Sequence, residues 1–272
     1  MNRKKSNKKD SSSIGPESYT KPQITVGKVT VSPSAKSPNQ KKYIKAMQDK
    51  DIVICEGPAG TGKTHLAIGM GIHFYQKGLV KKVIIARPTV DAGEELGFLP
   101  GDIDSKMDPY VRPALDELED FLSLESINYL RQEHKLEIVP IAYMRGRTFK
   151  DAFIVCDECQ NLSHKQMKML LTRIGSGSRM VLTGDTSQSD LKKFERGAFK
   201  FAKYLLDKYE SSTAITLTKD DIQRHNFVLE IVENWESELE NFKNGSKIPD
   251  DEDTDPLYNL KKFGFEKTRQ TF

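Results

Sequence analysis

Short apolar runs alternate with longer amphipathic stretches along most of this chain. The runs are hydrophobic at nearly every position, which is typical of strands buried on both faces of a parallel sheet. They predict strands at 52–56, 82–86, 136–140, 152–156, 179–183 and 214–217. Apolar positions that repeat with the spacing of a helix predict helices from Asn39 onward and over 64–77, 110–133, 163–174, 196–208 and 226–243. This alternation predicts an α/β domain in which helices flank a mostly parallel sheet.

The two ends of the chain differ from this pattern. Residues 1–37 are rich in Ser, Lys, Pro and Gly, and their few large apolar side chains cannot offset the entropy of ordering, so they predict a disordered arm. Within the arm, residues 24–31 alternate like a strand that could pair with the sheet edge. The folded domain is expected over 38–243, and residues 244–272 predict an acidic and aromatic tail.

Composition excludes several classes of protein. Hydrophobic residues make up 37% of the chain and charged residues 30%, as in a soluble globular protein. No run reaches the roughly 18 apolar residues of a transmembrane helix, and no apolar stretch follows the basic N-terminus as in a signal peptide. Three cysteines cannot build a disulfide framework, so we expect a reducing, cytoplasmic location.

The charge is unevenly distributed. Eight basic and two acidic residues give positions 1–40 a charge of +6, so the remainder carries −3 of the net +3. A basic arm on a mildly acidic body suits contact with nucleic acid. A solvated tail that only keeps the protein soluble explains the arm equally well.

A glycine-rich segment after the first predicted strand matches the phosphate-binding pattern G-x-x-x-x-G-K-[ST]. It consists of Gly57, Pro58, Ala59, Gly60, Thr61, Gly62, Lys63 and Thr64. Such a loop turns backbone N–H groups toward a phosphate, and the following helix N-terminus adds partial positive charge. Lys63 is then expected to reach the β- and γ-phosphates and Thr64 to bind Mg²⁺. The segment therefore predicts binding of a nucleoside triphosphate.

Two acids follow the strand predicted over 152–156. Asp157, at the carboxyl end of a strand, is expected to hold Mg²⁺, and Glu158 is placed to act as general base on water. Together they favour hydrolysis over transfer to an acceptor hydroxyl, while an ordinary acidic loop is the competing interpretation. Cys156 and Cys159 flank the pair, but two thiols do not complete a zinc site, and we interpret them as packing residues.

Gln188 follows the next predicted strand, in the run Thr183–Gln188. A glutamine at this place can hydrogen-bond a γ-phosphate or the attacking water. A polar turn is the simpler interpretation of the run alone, but its position after the lysine loop and the acidic pair favours the catalytic one.

Taken together, these residues resemble the PhoH family, which is related to the ATPase cores of superfamily 1 helicases. The resemblance covers about 39–235 and includes the runs ARPTV (86–90), AGEELGFLPGD (92–102), YMRGRTF (143–149) and DECQN (157–161). Cys159 stands where the family usually has Ala. The resemblance implies a RecA-like P-loop NTPase domain, Mg²⁺-dependent ATP hydrolysis, adenine reading near Asn39 and Gln40, and RNA or single-stranded nucleic acid as partner.

A single RecA-like domain leaves the γ-phosphate side of its site open. A neighbouring copy could supply an arginine there, which predicts a homo-oligomeric ring, with a hexamer favoured by analogy. Arg224 is the first candidate, ahead of Arg87, Arg145 and Arg147. The three others equally suit contacts with a nucleic-acid backbone, with Tyr143 available for stacking. A surface salt bridge is the competing interpretation for each arginine.

Three functions are consistent with these sequence features. The leading one is an ATPase coupled to nucleic acid, similar to a helicase. The alternative is an ATP-gated interaction module that hydrolyses slowly without motor activity. A small-molecule kinase is disfavoured by the acidic pair, by Gln188 and by the lack of an arginine-rich lid segment.

Overall fold

The computed structural model describes residues 31–88, 103–191 and 196–223, and positions 231, 234, 235 and 238–240, with only the backbone of 103–110. The helices are α1 (Pro38–Asp49), α2 (Lys63–Gln76), α3 (Ile103–Glu119), α4 (Leu124–Gln132), α5 (His164–Leu171) and α6 (Ala198–Leu206). The strands are β1 (Ile52–Glu56), β2 (Lys82–Arg87), β3 (Leu136–Pro140), β4 (Ala152–Cys156), β5 (Arg179–Gly184) and β6 (Ser212–Thr216).

The six strands form one parallel sheet in the order β3-β2-β4-β5-β1-β6. The central strands are buried along most of their length, which explains why they appear in the sequence as continuous apolar runs. All six predicted strands are confirmed within a few residues; β6 begins two residues before the predicted position 214. The predicted α/β class with a RecA-like parallel sheet is confirmed.

Helices cover both faces of the sheet. On one face, helices α1 to α4 bury side chains such as Met47, Leu66 and Leu118 against it. On the other face, α5 and α6 bury Met167 and Phe199 in a second cluster. The described part of the chain therefore has three layers, with the sheet between two apolar cores.

The single helix predicted over 110–133 is wrong, because two helices occupy this stretch. Helix α3 ends at Glu119, and α4 begins after Ser123, whose hydroxyl caps it by accepting a hydrogen bond from the backbone N–H of Ser126 at 3.3 Å. Leu122, in the connection, is buried in the first core. An apolar residue in the turn thus carries the hydrophobic pattern across a real helix break.

Packing begins before the predicted domain boundary at residue 38. Val31 is buried, its N–H donates to Gln76 Oε1 at 2.7 Å, and its carbonyl lies 2.6 Å from His73 Nδ1. Residues 24–30, which include most of the predicted arm strand, lie outside the described residues. The predicted boundaries at 37/38 and 243/244 stay predictions.

By its contacts the chain divides into two units, Met1–Asp221 and Ile222–Phe272. In the second unit, positions 231, 234, 235 and 238–240 are helical, within the helix predicted over 226–243. Trp235 there is 65% exposed. None of the helices in the described ranges is both long and apolar enough to cross a membrane.

Candidate active site

The strand order brings the predicted site residues to one edge of the sheet. The phosphate-binding loop follows β1 and leads into α2, and Asp157 follows β4. Because all strands are parallel, their carboxyl ends meet at this edge. Strand β5 lies between β1, which leads into the loop, and β4, which leads to Asp157. This intervening strand contributes Thr183 to the site, and the run Thr183–Gln188 does not by itself predict the contact of Thr183 with Asp157.

The loop adopts a tight turn that depends on two glycines. Gly60 and Gly62 have φ angles of +81° and +79°, a left-handed conformation that side chains with a Cβ rarely adopt. Between them, the buried hydroxyl of Thr61 donates to the carbonyl of Pro58 at 2.8 Å. The local sequence therefore fixes the curvature that a phosphate-binding loop needs.

Gln40 supports this loop from α1. Its side-chain Nε2 donates to the Thr61 carbonyl at 3.0 Å, and its Oε1 accepts from the backbone N–H of Lys36 at 2.7 Å. Since the amide is buried and both its ends are engaged, its observed role is to brace the loop. The predicted contact of Gln40 with adenine stays a prediction.

Lys63 folds back over the loop. Its ammonium donates to the carbonyls of Gly57 and Pro58 at 2.7 and 2.8 Å. The Lys63 carbonyl also accepts from the buried Tyr43 hydroxyl at 3.2 Å. The ammonium is thus held within the loop, at the place where a bound phosphate would need positive charge.

Asp157 is the most heavily bonded acid of the site. Its Oδ1 accepts from the hydroxyls of Thr64 at 2.7 Å and Thr183 at 2.5 Å. Its Oδ2 faces Arg87, whose Nε and Nη2 lie 3.0 and 2.8 Å away. Asp157 is buried, and these partners compensate the cost of burying its charge. Thr183 comes from β5, the intervening strand.

The Thr64 and Asp157 oxygens meet the chemical requirements of a magnesium site. Mg²⁺ prefers a few hydroxyl and carboxylate oxygens and usually keeps several waters. The 2.7 Å contact between the two side chains places both donor types at one point beside the loop. The residues present therefore fit the metal that the sequence predicts.

Glu158 has a strained backbone and two partners. Its φ of +57° is in the left-handed region, which is uncommon for residues other than glycine. Residues held in such conformations cluster at functional sites. Its Oε1 lies 3.6 Å from Arg87 Nη2, and its Oε2 accepts from Gln160 Nε2 at 2.5 Å. The carboxylate is half-exposed, as a group acting on water must be.

Gln160 was missed as a functional residue in the sequence analysis. Besides bonding Glu158, its buried side chain accepts through Oε1 from the backbone N–H of Asp185 at 3.1 Å. It thereby connects the acidic pair to the loop after β5. A Cβ on Gly184 would approach Gln160 Oε1 to 2.9 Å, so the glycine leaves room for this link. The sequence signals were its place two residues after Glu158 and its membership of the DECQN run over 157–161.

Glu56 was also missed, although it directly precedes the phosphate-binding loop. Its carboxylate accepts from Thr186 Oγ1 at 2.6 Å and from Lys203 Nζ at 2.5 Å. Burial alone would raise the pKa of Glu56, but the hydrogen bonds from Lys203 and Thr186 outweigh it and lower the pKa. Glu56 therefore anchors the short turn Thr186–Gln188, where the predicted Gln188 is exposed.

The predicted nucleic-acid residues separate into two groups. Arg87 is bound to the acidic pair, and Arg147 contacts Glu137 at 2.5 Å while its guanidinium lies 4.5 Å from the Phe149 ring centre. Both arginines therefore have acidic partners within the chain, and their predicted contacts with nucleic acid stay predictions. Tyr143 and Arg145 are exposed as expected. Arg224 lies outside the described residues.

The thiols beside the site are packing residues, as predicted for Cys156 and Cys159. Cys55, Cys156 and Cys159 are free and fully buried. Burial raises the pKa of Cys55 to about 12 and raises the pKa of the two others as well. The thiolate form needed for redox or metal chemistry is therefore disfavoured at all three.

The fold and this site define a P-loop NTPase with a RecA-like sheet. The chain belongs to the PhoH family, because the family model described as "PhoH-like protein" matches residues 32–236. The predicted resemblance is confirmed.

Curated relatives share this match. A PhoH-like protein of Bacillus subtilis is 44% identical over 222 residues, which cover 82% of this chain and 70% of that protein. The protein PhoH of Escherichia coli K12 is 38% identical over 187 residues, covering 68% of this chain and 52% of that protein. This chain therefore spans between about half and 70% of these relatives' length.

Among solved structures, a Bacteroides Pif1 bound to ssDNA aligns at 18% identity and a TM-score of 0.36, covering 85% of this chain and 56% of that one. The Pyrococcus furiosus Hef helicase domain aligns at 13% identity and a TM-score of 0.41, covering 67% of this chain and 38% of that one. Structural similarity at TM-scores this low supports no conclusion about the function of this chain.

Proposed function

We propose that this protein is a Mg²⁺-dependent ATPase whose turnover is coupled to RNA or other single-stranded nucleic acid. The observation that supports it most is the convergence on Asp157 of Thr64, from the phosphate-binding loop, and Arg87, which also faces Glu158. One buried carboxylate thus joins the phosphate-binding side of the site to the acid that would act on water.

Each residue has a distinct role in this proposal. The loop and the α2 N-terminus bind the phosphates, and Lys63 exchanges its loop carbonyls for phosphate oxygens. Thr64 and Asp157 hold Mg²⁺, which when bound neutralises charge on the phosphates. Glu158 accepts a proton from the attacking water, and Gln160 together with Arg87 orients its carboxylate. Gln188 contacts the γ-phosphate or the water.

The experiment measures nucleotide affinity in matched variants. Lys63→Ala should lose tight ATP binding, because it removes the cation that faces the β- and γ-phosphates. Glu158→Gln has nearly the same shape and should keep ATP affinity close to wild type. Equilibrium binding of a fluorescent ATP analogue with Mg²⁺ measures both. Unchanged affinity in Lys63→Ala would contradict the assignment of the loop.

The site also suits a contribution from a second subunit. In this part of the proposal, Arg224 of a neighbouring copy docks on the γ-phosphate side, and repetition of the contact closes a ring, with a hexamer favoured. Three buried free thiols suit a reducing cytoplasm. The alternative function, an ATP-gated module without motor activity, uses the same residues but predicts no response of turnover to nucleic acid.

A further inference from the structure

Helices α5 and α6 lie on the side of the sheet opposite the phosphate-binding helix, and the exposed Asp207 directly follows α6. Their sequences, HKQMKMLL and AFKFAKYLL, contain four lysines and no Asp or Glu. The two helices bury Met167, Leu170, Phe199 and Ala202 against the sheet. Their remaining positions therefore turn a basic surface outward.

Two aromatic rings stand out from this surface. Phe201 is 53% exposed and Tyr204 62% exposed, although rings of this size usually bury most of their area. The centre of the His164 ring, on α5, lies 5.9 Å from the centre of the Phe201 ring, on α6. Lys208 Nζ lies 3.9 Å from the centre of the Tyr204 ring. Each ring is thus held by a neighbour and keeps much of its area exposed.

Four exposed lysines lie on the same two helices or just after α6. They are Lys165, Lys168, Lys200 and Lys208. Lys203 on α6 does not belong to this group, because it is bound to Glu56 and Thr216. We call the four lysines together with Phe201 and Tyr204 the α5–α6 face.

We propose that the α5–α6 face binds single-stranded nucleic acid, with bases stacked on Phe201 and Tyr204 and phosphates beside the lysines. Strand-binding surfaces combine positive charge along the backbone with rings on which bases stack. Protein interfaces are instead depleted of lysine. If this surface were a protein interface, the charge of the four lysines near the two rings would have to be desolvated. The proposal rests on the proposed function and names where its nucleic-acid partner binds.

The face is connected to the candidate active site at two points. Helix α5 starts a few residues after Glu158 and is capped by Ser163. Helix α6 reaches the loop strand through the 2.5 Å bond from Lys203 to Glu56, the residue before the phosphate-binding loop. A strand bound across both helices therefore contacts elements that hold each side of the site.

The test measures binding of the full chain to a fluorescent single-stranded RNA of about 20 nucleotides, longer than the ~4–16-nucleotide sites of known single-strand-binding folds. A DNA strand of the same sequence and an RNA duplex are the comparison probes. Stacking on one ring contributes roughly 5- to 150-fold in affinity. Phe201→Ala with Tyr204→Ala should therefore weaken single-strand binding at least about tenfold.

Conservative variants separate stacking from general damage. Phe201→Tyr and Tyr204→Phe keep both rings and should keep affinity near wild type. Leu79→Ala removes an exposed apolar side chain elsewhere and serves as the matched control. Thermal melting checks that each variant is folded. Lys165→Ala with Lys200→Ala should lower the dependence of log K on log salt by about 0.7 per lost phosphate contact.

Three results would overturn the inference. If wild type binds RNA and the double alanine variant binds equally well, the strand lies elsewhere while the proposed function stands. If the double alanine variant changes only the molecular mass of the protein assembly in solution and not RNA binding, the α5–α6 face is a protein interface. If wild type binds none of the probes, both the face and the nucleic-acid part of the proposed function fail, whereas ATP binding can still hold.

Discussion

At the scale of single residues, the site depends on how one buried carboxylate is satisfied. Asp157 accepts from two hydroxyls on one oxygen and faces the Arg87 guanidinium with the other. The same guanidinium lies 3.6 Å from Glu158. Arg87 thus compensates the charge of two adjacent acids, and a bound cation would compete for this role.

Replacing Arg87 by alanine tests this interpretation. Breaking a fully buried ion pair costs about 3–5 kcal/mol, and Arg87 is partly exposed, so the free energy of unfolding should fall by roughly 1–3 kcal/mol. Mg²⁺ with ADP should then raise the melting temperature more in the variant than in wild type, because the cation replaces the lost charge. Arg145→Ala, an exposed arginine, is the control. Equal Mg²⁺ responses in both proteins would refute the competition.

The residues of the site could be predicted from sequence only where a local motif carries them. Lys63, Thr64, Asp157 and Glu158 are recognised because each stands at a fixed place after a strand. The contacts of Thr183 and Arg87 with Asp157 could not be foreseen, since both depend on which strands are neighbours in the sheet. Strand order is a long-range property that periodicity does not reveal.

At the scale of elements, one acid joins the start of the domain to its last strand. Asp221, after β6, accepts hydrogen bonds from Ser37 Oγ, from Asn39 Nδ2 at 3.0 Å and from the Thr218 N–H at 2.6 Å. Burial would raise the pKa of Asp221, but these hydrogen bonds together outweigh it and lower the pKa. Ser37 also caps α1, so the cluster fixes the entry to that helix.

This cluster predicts a pH-dependent contribution to stability. Because the folded pKa of Asp221 is below its unfolded value near 3.9, the contribution is complete above that value and is lost as pH falls through the folded pKa. Asp221→Asn should therefore unfold more easily at neutral pH, by roughly 1–3 kcal/mol, the worth of hydrogen bonds to a charged group. Urea unfolding at neutral and acid pH measures the difference.

The neighbouring acid offers a matched control. Asp220 is exposed, so Asp220→Asn should change stability little at either pH. A loss in Asp221→Asn that stayed equally large well below pH 3.9 would show that the carboxylate charge is not the cause.

Elements were predicted well where continuous apolar runs alternate with amphipathic stretches, and less well at a break within such a stretch. The six strands are in place, whereas the stretch 110–133 holds two helices. Phe121 and Leu122 extend the hydrophobic pattern across the turn, so periodicity alone favoured one helix. The residue that marks the helix break is Ser123, which caps the start of α4. Its side chain hydrogen-bonds to the backbone there, and such bonds compete with continuation of the preceding helix.

At the scale of the whole molecule, the proposed ring predicts complementation between defective subunits. Arg224→Ala and Glu158→Gln should each lose turnover, since one removes the arginine supplied to a neighbour and the other the general base. Mixing the two should restore part of the activity, because some interfaces then pair an intact arginine with an intact glutamate. Phosphate release across mixing ratios measures this. A mixture that never exceeds the weighted mean of its parts would contradict the ring.

The central claim is that Glu158 drives ATP hydrolysis in response to single-stranded nucleic acid. The most direct measurement is steady-state phosphate release by wild type and Glu158→Gln, each with and without single-stranded RNA, with the mass in solution determined by light scattering. Turnover should depend on Mg²⁺, rise with RNA, and fall about 10²- to 10⁴-fold in Glu158→Gln, the usual contribution of a general base. Turnover in Glu158→Gln equal to wild type would contradict the claim.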